Sequence, residues 1–213
     1  MTLILALAGA PQSASRANDL NTLIDGVDRT FASMKDFSAD FVQISTISLN
    51  QPHVDEGHLY LTRDRKMRWE YKKSEEKLFI SNGKTLYSYI PLDREVTEEK
   101  VKDATAERIP MMFLVGRANL RKEFKEFEEL KIKPWFDGDR VIRLYPIRKN
   151  EDIQSIEIEV NPRNNLIDRM VVLGTDKSRS EFIFMRIETN TNIPASKFEF
   201  KPPPGTRVVQ GVF

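Results

Sequence analysis

The chain contains no cysteine, which excludes disulfides, a thiol nucleophile, a thiolate-held iron–sulfur cluster and a lipidated Cys. It has only two histidines, His53 and His58. Five positions apart in a turn-to-strand region, they fall on opposite faces of a strand, so they read as surface residues and not as a joint metal site. Excess charge is missing too: 33 Lys and Arg against 32 Asp and Glu leave a net +1. Such a chain is poorly suited to nucleic-acid binding driven by counterion release. There is no G-x-S-x-G, no P-loop and no G-x-G-x-x-G. Carboxylates are plentiful, but none sits in an apolar run that would raise its pKa for acid catalysis; Asp137 and Asp139 around Gly138 read as a turn. With nucleophile and metal-ligand types this scarce, an enzyme is disfavoured.

At 213 residues, 40% apolar and 31% charged, the chain is expected to form one domain with a sizeable core. The only conspicuous apolar run, Leu3 to Ala10, is too short to span a bilayer. Followed by small residues up to Ala17, it resembles the apolar part of a signal peptide that lacks its basic start. Residues 1–17 are therefore expected to be removed, with Ser15-Arg16-Ala17 as the cleavage site, leaving 18–213 as the domain. Leu7-Ala8-Gly9-Ala10 looks like a lipoprotein box with Ala in place of the modified Cys, so the chain should not itself be a lipoprotein.

Leu20, Leu23, Ile24, Val27, Phe31 and Met34 keep to one face of a 3.6-residue period and predict an amphipathic helix over 18–35, capped by Asn18 or Asp19. Gly26 in its middle costs about 1 kcal/mol relative to Ala. From Phe37 the period changes to two. Strands are expected at 37–49, 57–62, 67–71, 77–81 and 85–90, the last pair joined by an Asn82-Gly83 turn. Residues 98–127 interrupt this meander with charge, except for the apolar Ile109 to Val115, where Pro110 suits the start of a short helix that covers apolar surface. Strands return at 128–135, 141–146, 153–160, 166–173 and 182–189, and a short one at Phe198 runs into Pro202-Pro203-Pro204. The fold class expected is mainly β (α+β): an antiparallel sheet of about 11 strands curled around helices.

Several blocks resemble the LolA family of outer-membrane lipoprotein carriers. They are Phe37-Ser-Ala-Asp-Phe-Val-Gln43, Leu59-Tyr-Leu-Thr-Arg-Asp-Arg-Lys-Met-Arg-Trp69, Ser81-Asn-Gly-Lys-Thr-Leu-Tyr-Ser-Tyr-Ile-Pro91, Lys102-Asp-Ala-Thr105, Pro110-Met-Met-Phe-Leu-Val115 and Ala195-Ser-Lys-Phe-Glu-Phe-Lys-Pro-Pro203. The resemblance spans almost the whole chain in order. It implies a periplasmic, non-enzymatic carrier without cofactor or metal: an incomplete antiparallel barrel with a helical lid over an apolar cavity that holds lipoprotein acyl chains. The implied partners are acylated lipoproteins, an inner-membrane ABC-type releasing complex and an outer-membrane receptor of LolB-like fold; a monomer is expected. LolA-like domains also occur in envelope-stress regulators, which is the alternative reading, but those carry a second domain for which this chain has no room.

The resemblance assigns Arg63 as a lid latch bonded to backbone near Leu114, Val115 and Phe31. Where the family usually has Pro after this Arg, the chain has Asp64, a carboxylate able to compete for the guanidinium. The alternation itself places Leu59, Leu61, Met67, Trp69 and Tyr71 on one concave face, joined by Leu78 with Ile80 or by Tyr87 with Tyr89. Met111, Met112 and Phe113 would line the cavity from the lid. An ordinary packed core under a helix is the plainer explanation for such a face. The methionines suit a site that must fit varied chains.

Overall fold

The computed structural model describes residues 12–46, 51–73, 75–101, 119–147 and 152–211, with side chains from Asp19 onward. A helix, α1 (Gln12–Ser33), is followed by β1 (Asp36–Thr46), β2 (His53–Thr62), β3 (Lys66–Tyr71), β4 (Lys77–Asn82), β5 (Thr85–Ile90) and β6 (Glu95–Lys100). After the one-turn α2 (Leu120–Glu123) come β7 (Phe124–Leu130), β8 (Arg140–Pro146), β9 (Ile153–Val160), β10 (Ile167–Gly174) and β11 (Arg179–Thr189). A 3-10 turn (Ala195–Phe198) and β12 (Arg207–Gln210) finish the described chain.

Among the described residues, the twelve strands form one sheet in the order β12-β6-β5-β4-β3-β2-β1-β11-β10-β9-β8-β7. It is two meanders, 1 to 6 and 7 to 11, joined where β1 pairs with β11. All pairs are antiparallel except β12 with β6, which is parallel. β12 and β7 are the two edges and do not meet, so the sheet is an incomplete barrel, mostly β as expected and with one strand more than foreseen.

The helix stripe packs as its period requires. Leu23, Ile24, Val27, Phe31 and Met34 are buried and Leu20 is partly so, all in one cluster with the concave sheet residues. Each fully buried side chain of this kind stabilises by roughly 1.5–3 kcal/mol. The helix starts at Gln12, so neither Asn18 nor Asp19 caps it; Asp19 instead pairs with Arg140 at 2.8 Å. Gly26 is explained by close approach. A Cβ there would lie 2.4 Å from Asn165 Oδ1 in the β9–β10 turn.

Three other expectations are corrected. The tight turn after β4 uses Gly83 (φ +90°) and Lys84, while Asn82 stays in the strand and its side chain accepts from the N–H groups of Lys84 and Thr85, both at 2.9 Å. The charged segment 95–100 is a strand. Phe198 lies in the 3-10 turn, and the final strand comes later, at 207–210.

Candidate functional site: the concave face

Antiparallel register decides which side chains share a face. β1 sets Phe37 opposite Leu61, Ala39 opposite Leu59 and Phe41 opposite Gly57. β3 continues these rows with Met67, Trp69 and Tyr71. The five residues expected to share one face, Leu59, Leu61, Met67, Trp69 and Tyr71, therefore do so, and all belong to or pack against the cluster beneath α1. β4 adds Phe79, paired with Trp69, and β5 adds Leu86 and Ser88. From the other meander, Phe182 and Phe184 face the same way beside Gln43 and Phe41.

Leu78, Ile80, Tyr87 and Tyr89 do not join this face. Register puts them on the opposite, convex side: Leu78 faces Tyr89 and Ile80 faces Tyr87. Apolar side chains on both faces of β4 and β5 have a structural cause, since the chain after β11 crosses the convex side and covers it. Phe198 is buried there, and the Phe200 ring stands 5.4 Å from Tyr87 and 5.8 Å from Tyr89. Arg68 Nη1 donates to the Lys197 carbonyl at 3.2 Å and holds this strap down.

The concave face is aromatic at its centre. The Phe41 ring lies 5.0 Å from both Trp69 and Tyr71. Phe182 is 5.8 Å from Trp69, and Phe79 is 6.0 Å from Tyr71. Gly57 makes this arrangement possible. A Cβ there would lie 1.9 Å from the Glu70 carbonyl oxygen and 2.7 Å from Phe41 Cζ. Trp69 is buried, whereas Met67, Tyr71 and Phe79 are only partly so. Phe79 was missed from the sequence; the signal that finds it is its pairing with Trp69.

At one end of this face the chemistry turns polar. The Tyr71 hydroxyl donates to Gln43 Oε1 at 2.6 Å, and Gln43 Nε2 donates to Ser180 Oγ at 3.0 Å and Ser45 Oγ at 3.1 Å. Burial, reinforced by the negative charge of Asp55, pushes the Tyr71 phenol above its usual pKa, while the Trp69 indole acts in the opposite direction.

At the other end, the exposed Arg63 follows β2 and reaches the last turn of α1. Its guanidinium donates to the Ala32 carbonyl, and its backbone N–H donates to the Lys35 carbonyl at 3.1 Å. The acceptor is Ala32, one residue beyond the Phe31 expected; the Phe31 carbonyl accepts from Met34 N–H at 3.3 Å. Asp64 is engaged elsewhere, with Lys66 Nζ at 2.6 Å and the Thr62 hydroxyl. Partial burial alone would raise its pKa, but these hydrogen bonds outweigh it and lower the value. Leu114 and Val115, expected as latch acceptors, and Met111, Met112 and Phe113, expected in the lid, lie outside the described residues. The described flanks of that segment are fixed: Val101 N–H donates to the Lys84 carbonyl at 2.9 Å, and Leu120 N–H donates to Asp28 Oδ1 on α1 at 2.7 Å.

The histidines lie on opposite faces as expected, but only His53 is a surface residue. His58 is half-buried on the convex face, with Nδ1 2.6 Å from Asp40 Oδ1 and its ring 4.4 Å from Tyr60. Burial, then the charge of Lys72, lowers its pKa. Asp139 is more than a turn residue. Its pKa rises to about 7 through burial, the charges of Asp168 and Glu159, and a hydrogen bond with Asp168. Among the described residues no group of His, Cys, Asp and Glu is placed to hold a metal ion, and no helix is long and apolar enough to cross a membrane.

An open, mostly antiparallel sheet, curled over one amphipathic helix with an aromatic concave side, defines the class: an incomplete-barrel protein with an apolar inner face. Residues 32–201 match the family described as outer membrane lipoprotein carrier protein LolA, and the chain belongs to that family. It is 29% identical over 208 residues to an outer-membrane lipoprotein carrier protein of Chromobacterium violaceum, covering 98% of this chain and 94% of that one. Among solved structures it is similar to an uncharacterized conserved protein of Thermus thermophilus, with a TM-score of 0.57 at 11% identity, covering 91% of this chain and 99% of that one. It is also similar to a LolA superfamily protein of Nitrosomonas europaea, with a TM-score of 0.44 at 9% identity, covering 85% of this chain and 97% of that one.

Proposed function

We propose that the protein is a periplasmic carrier that holds the acyl chains of lipoproteins against its concave face and moves them from the inner to the outer membrane, without catalysis. The observation that carries this reading is the aromatic face of Phe41, Trp69, Tyr71 and Phe79, which α1 covers only in part, leaving Tyr71 and Phe79 half-buried. Family membership supports it. Burying each CH₂ is worth about 0.8 kcal/mol, so one acyl chain gains on the order of 10 kcal/mol and cannot cross water uncovered. Release then requires that part of this be offset by opening and closing a cover. α1 is part of that cover, and Arg63 is its latch. An ABC-type releasing complex loads the carrier and a LolB-like receptor unloads it. The working form is a monomeric single domain from which residues 1–17 have been removed.

The test is binding of a triacylated lipopeptide to the wild-type protein and to Trp69→Glu. A charge at the centre of the aromatic cluster is desolvated by an incoming chain. The reading predicts tight binding by wild type and at least a tenfold loss in a folded variant. Equal binding by both would remove the concave face from the mechanism.

A further inference from the structure

Away from the concave face, one loop turns apolar and basic side chains outward together. Among the described residues, Ile132 and Trp135 are 54% and 61% exposed and share the β7–β8 loop, whereas the other exposed large apolar residues stand singly. Lys131 and Lys133, exposed as well, flank Ile132, so the tip reads Lys131-Ile-Lys-Pro-Trp135. Tryptophan is on average a well-buried residue. One held in water beside a second large apolar side chain marks a contact surface.

The loop holds these side chains in place by its own bonds. Leu130 pairs with Val141 at its neck. Phe136 N–H donates to Glu159 Oε1 at 2.6 Å, and the Glu159 carboxylate is itself buried beside Arg169. Asp139 N–H donates to the Phe136 carbonyl at 3.2 Å, and Gly138 takes the left-handed position at φ +94°. Pro134 has a fixed φ and restricts Lys133 before it. A finger ordered in this way gives up little conformational freedom on contact. The acids of β7 beside it are engaged within the sheet, Glu129 with Arg140 Nε at 2.6 Å and Glu128 with the Tyr145 hydroxyl at 3.1 Å. Within the loop, Asp137 is exposed and Asp139 is buried.

The end of the sheet that carries this finger is basic. Antiparallel pairing puts the turns at 63–65, 83–84, 131–139 and 161–166 at that one end. They expose Arg63, Arg65, Lys84, Lys131, Lys133 and Arg163 against Asp64 and Asp137, and Asp64 is paired with Lys66. Two apolar side chains on a projecting loop cannot supply the roughly 800 Å² per partner of a specific protein interface. Tryptophan flanked by lysine is instead the composition of the membrane–water boundary, where the ring sits at headgroup level and cations meet anionic lipid. We propose that residues 131–136 are a membrane-contact finger that docks this end of the sheet on an anionic phospholipid surface, with Ile132 and Trp135 among the headgroups and Lys131 and Lys133 on their phosphates. The contact itself makes no use of the concave face. Its role rests on the carrier reading: it turns the Arg63 end toward the bilayer, so that the latch opens beside the lipid.

The experiment is flotation of the full chain, without cargo, on vesicles of phosphatidylcholine with and without phosphatidylglycerol. Wild type should prefer the anionic vesicles by at least about tenfold, and added salt should remove the preference. Trp135→Ser should weaken binding about tenfold. Lys131→Gln and Lys133→Gln should each weaken it about fivefold, and Asp137→Asn should strengthen it. Brominated phosphatidylcholine in the anionic vesicles should quench tryptophan emission in wild type but not in Trp135→Phe, which keeps only the buried Trp69. Trp69→Glu, the variant that tests the concave face, should bind vesicles as wild type does. No wild-type binding to anionic vesicles at low salt would overturn the membrane assignment and leave a protein as the finger's partner. Vesicle binding kept in Trp135→Ser but lost in Trp69→Glu would place the lipid on the concave face and overturn the finger, leaving the carrier reading intact. The expected vesicle binding in a protein that takes up no lipopeptide would sustain the finger and overturn the carrier reading.

Discussion

Replacing Arg63 by leucine separates the latch from the fold. The side chain contributes one charge-assisted hydrogen bond, from the guanidinium to the Ala32 carbonyl, and one positive charge at the C-terminal turn of α1. The backbone bond from Arg63 N–H to the Lys35 carbonyl survives the substitution. Because the guanidinium is exposed, the bond is worth about 0.2–1 kcal/mol and not the larger value of a buried pair. The charge near the helix end adds about 0.3–1 kcal/mol. Together they make about 1 kcal/mol, or a roughly fivefold change in the equilibrium between a docked and an undocked helix end. Asp64 does not diminish this, since its partners are Lys66 and Thr62. Hydrogen exchange reads the effect directly. The Met34 amide, bonded to the Phe31 carbonyl at the same end, should exchange about fivefold faster in Arg63→Leu, and binding of a hydrophobic dye should rise. Arg63→Lys should fall between, because it keeps the charge but loses the planar fork. In transport the leucine variant should load cargo at least as well as wild type and deliver it poorly. Unchanged exchange at Met34 together with unchanged dye binding would refute the latch.

Two further substitutions probe the scaffold. Gly57→Ala places a methyl 1.9 Å from the Glu70 backbone oxygen, so the β2–β3 pair must shift; a loss of at least about 3 kcal/mol in urea unfolding is expected, and a near-neutral result would contradict the close approach of Phe41 and Glu70. Asp139, with its pKa raised to about 7, ionises later in the folded than in the unfolded protein, so its contribution is fully present below about pH 4 and is lost as pH rises through 7. Asp139→Asn should remove that fall between pH 4 and 7 and leave the protein more stable than wild type at pH 8; parallel stability–pH curves for the two proteins would show that Asp168 and Glu159 do not act on it.

Much of the fold was legible because local periods carry it. The stripe from Leu20 to Met34 and the alternation from Leu59 to Tyr71 each have one buried face, and one buried face fixes parity. β4 and β5 do not have that property. Leu78, Ile80, Tyr87 and Tyr89 alternate as cleanly as Phe79, Leu86 and Ser88, and residues 72–76 are too long a link to set the register between β3 and β4. Only the strap at Phe198 and Phe200, more than a hundred residues later, reveals why both faces are apolar. β6 was missed because four of its six residues are charged, with Val96 as its one buried side chain. The pKa of Asp139 and the partner of His58 depend on Asp168, Glu159 and Asp40, which are distant in sequence and adjacent only in the folded sheet.

In the proposed function, acyl chains lie on the concave face and not on the convex one. Phe79 and Tyr87 sit on adjacent strands with side chains on opposite sides of the sheet, which makes them a matched pair. A photoreactive phenylalanine analogue at each position, irradiated with a radiolabelled triacylated lipopeptide bound, tests the claim directly. Cross-linking to the acyl chains is expected from position 79 and none above background from position 87; cross-linking from 87 with none from 79 would contradict the claim.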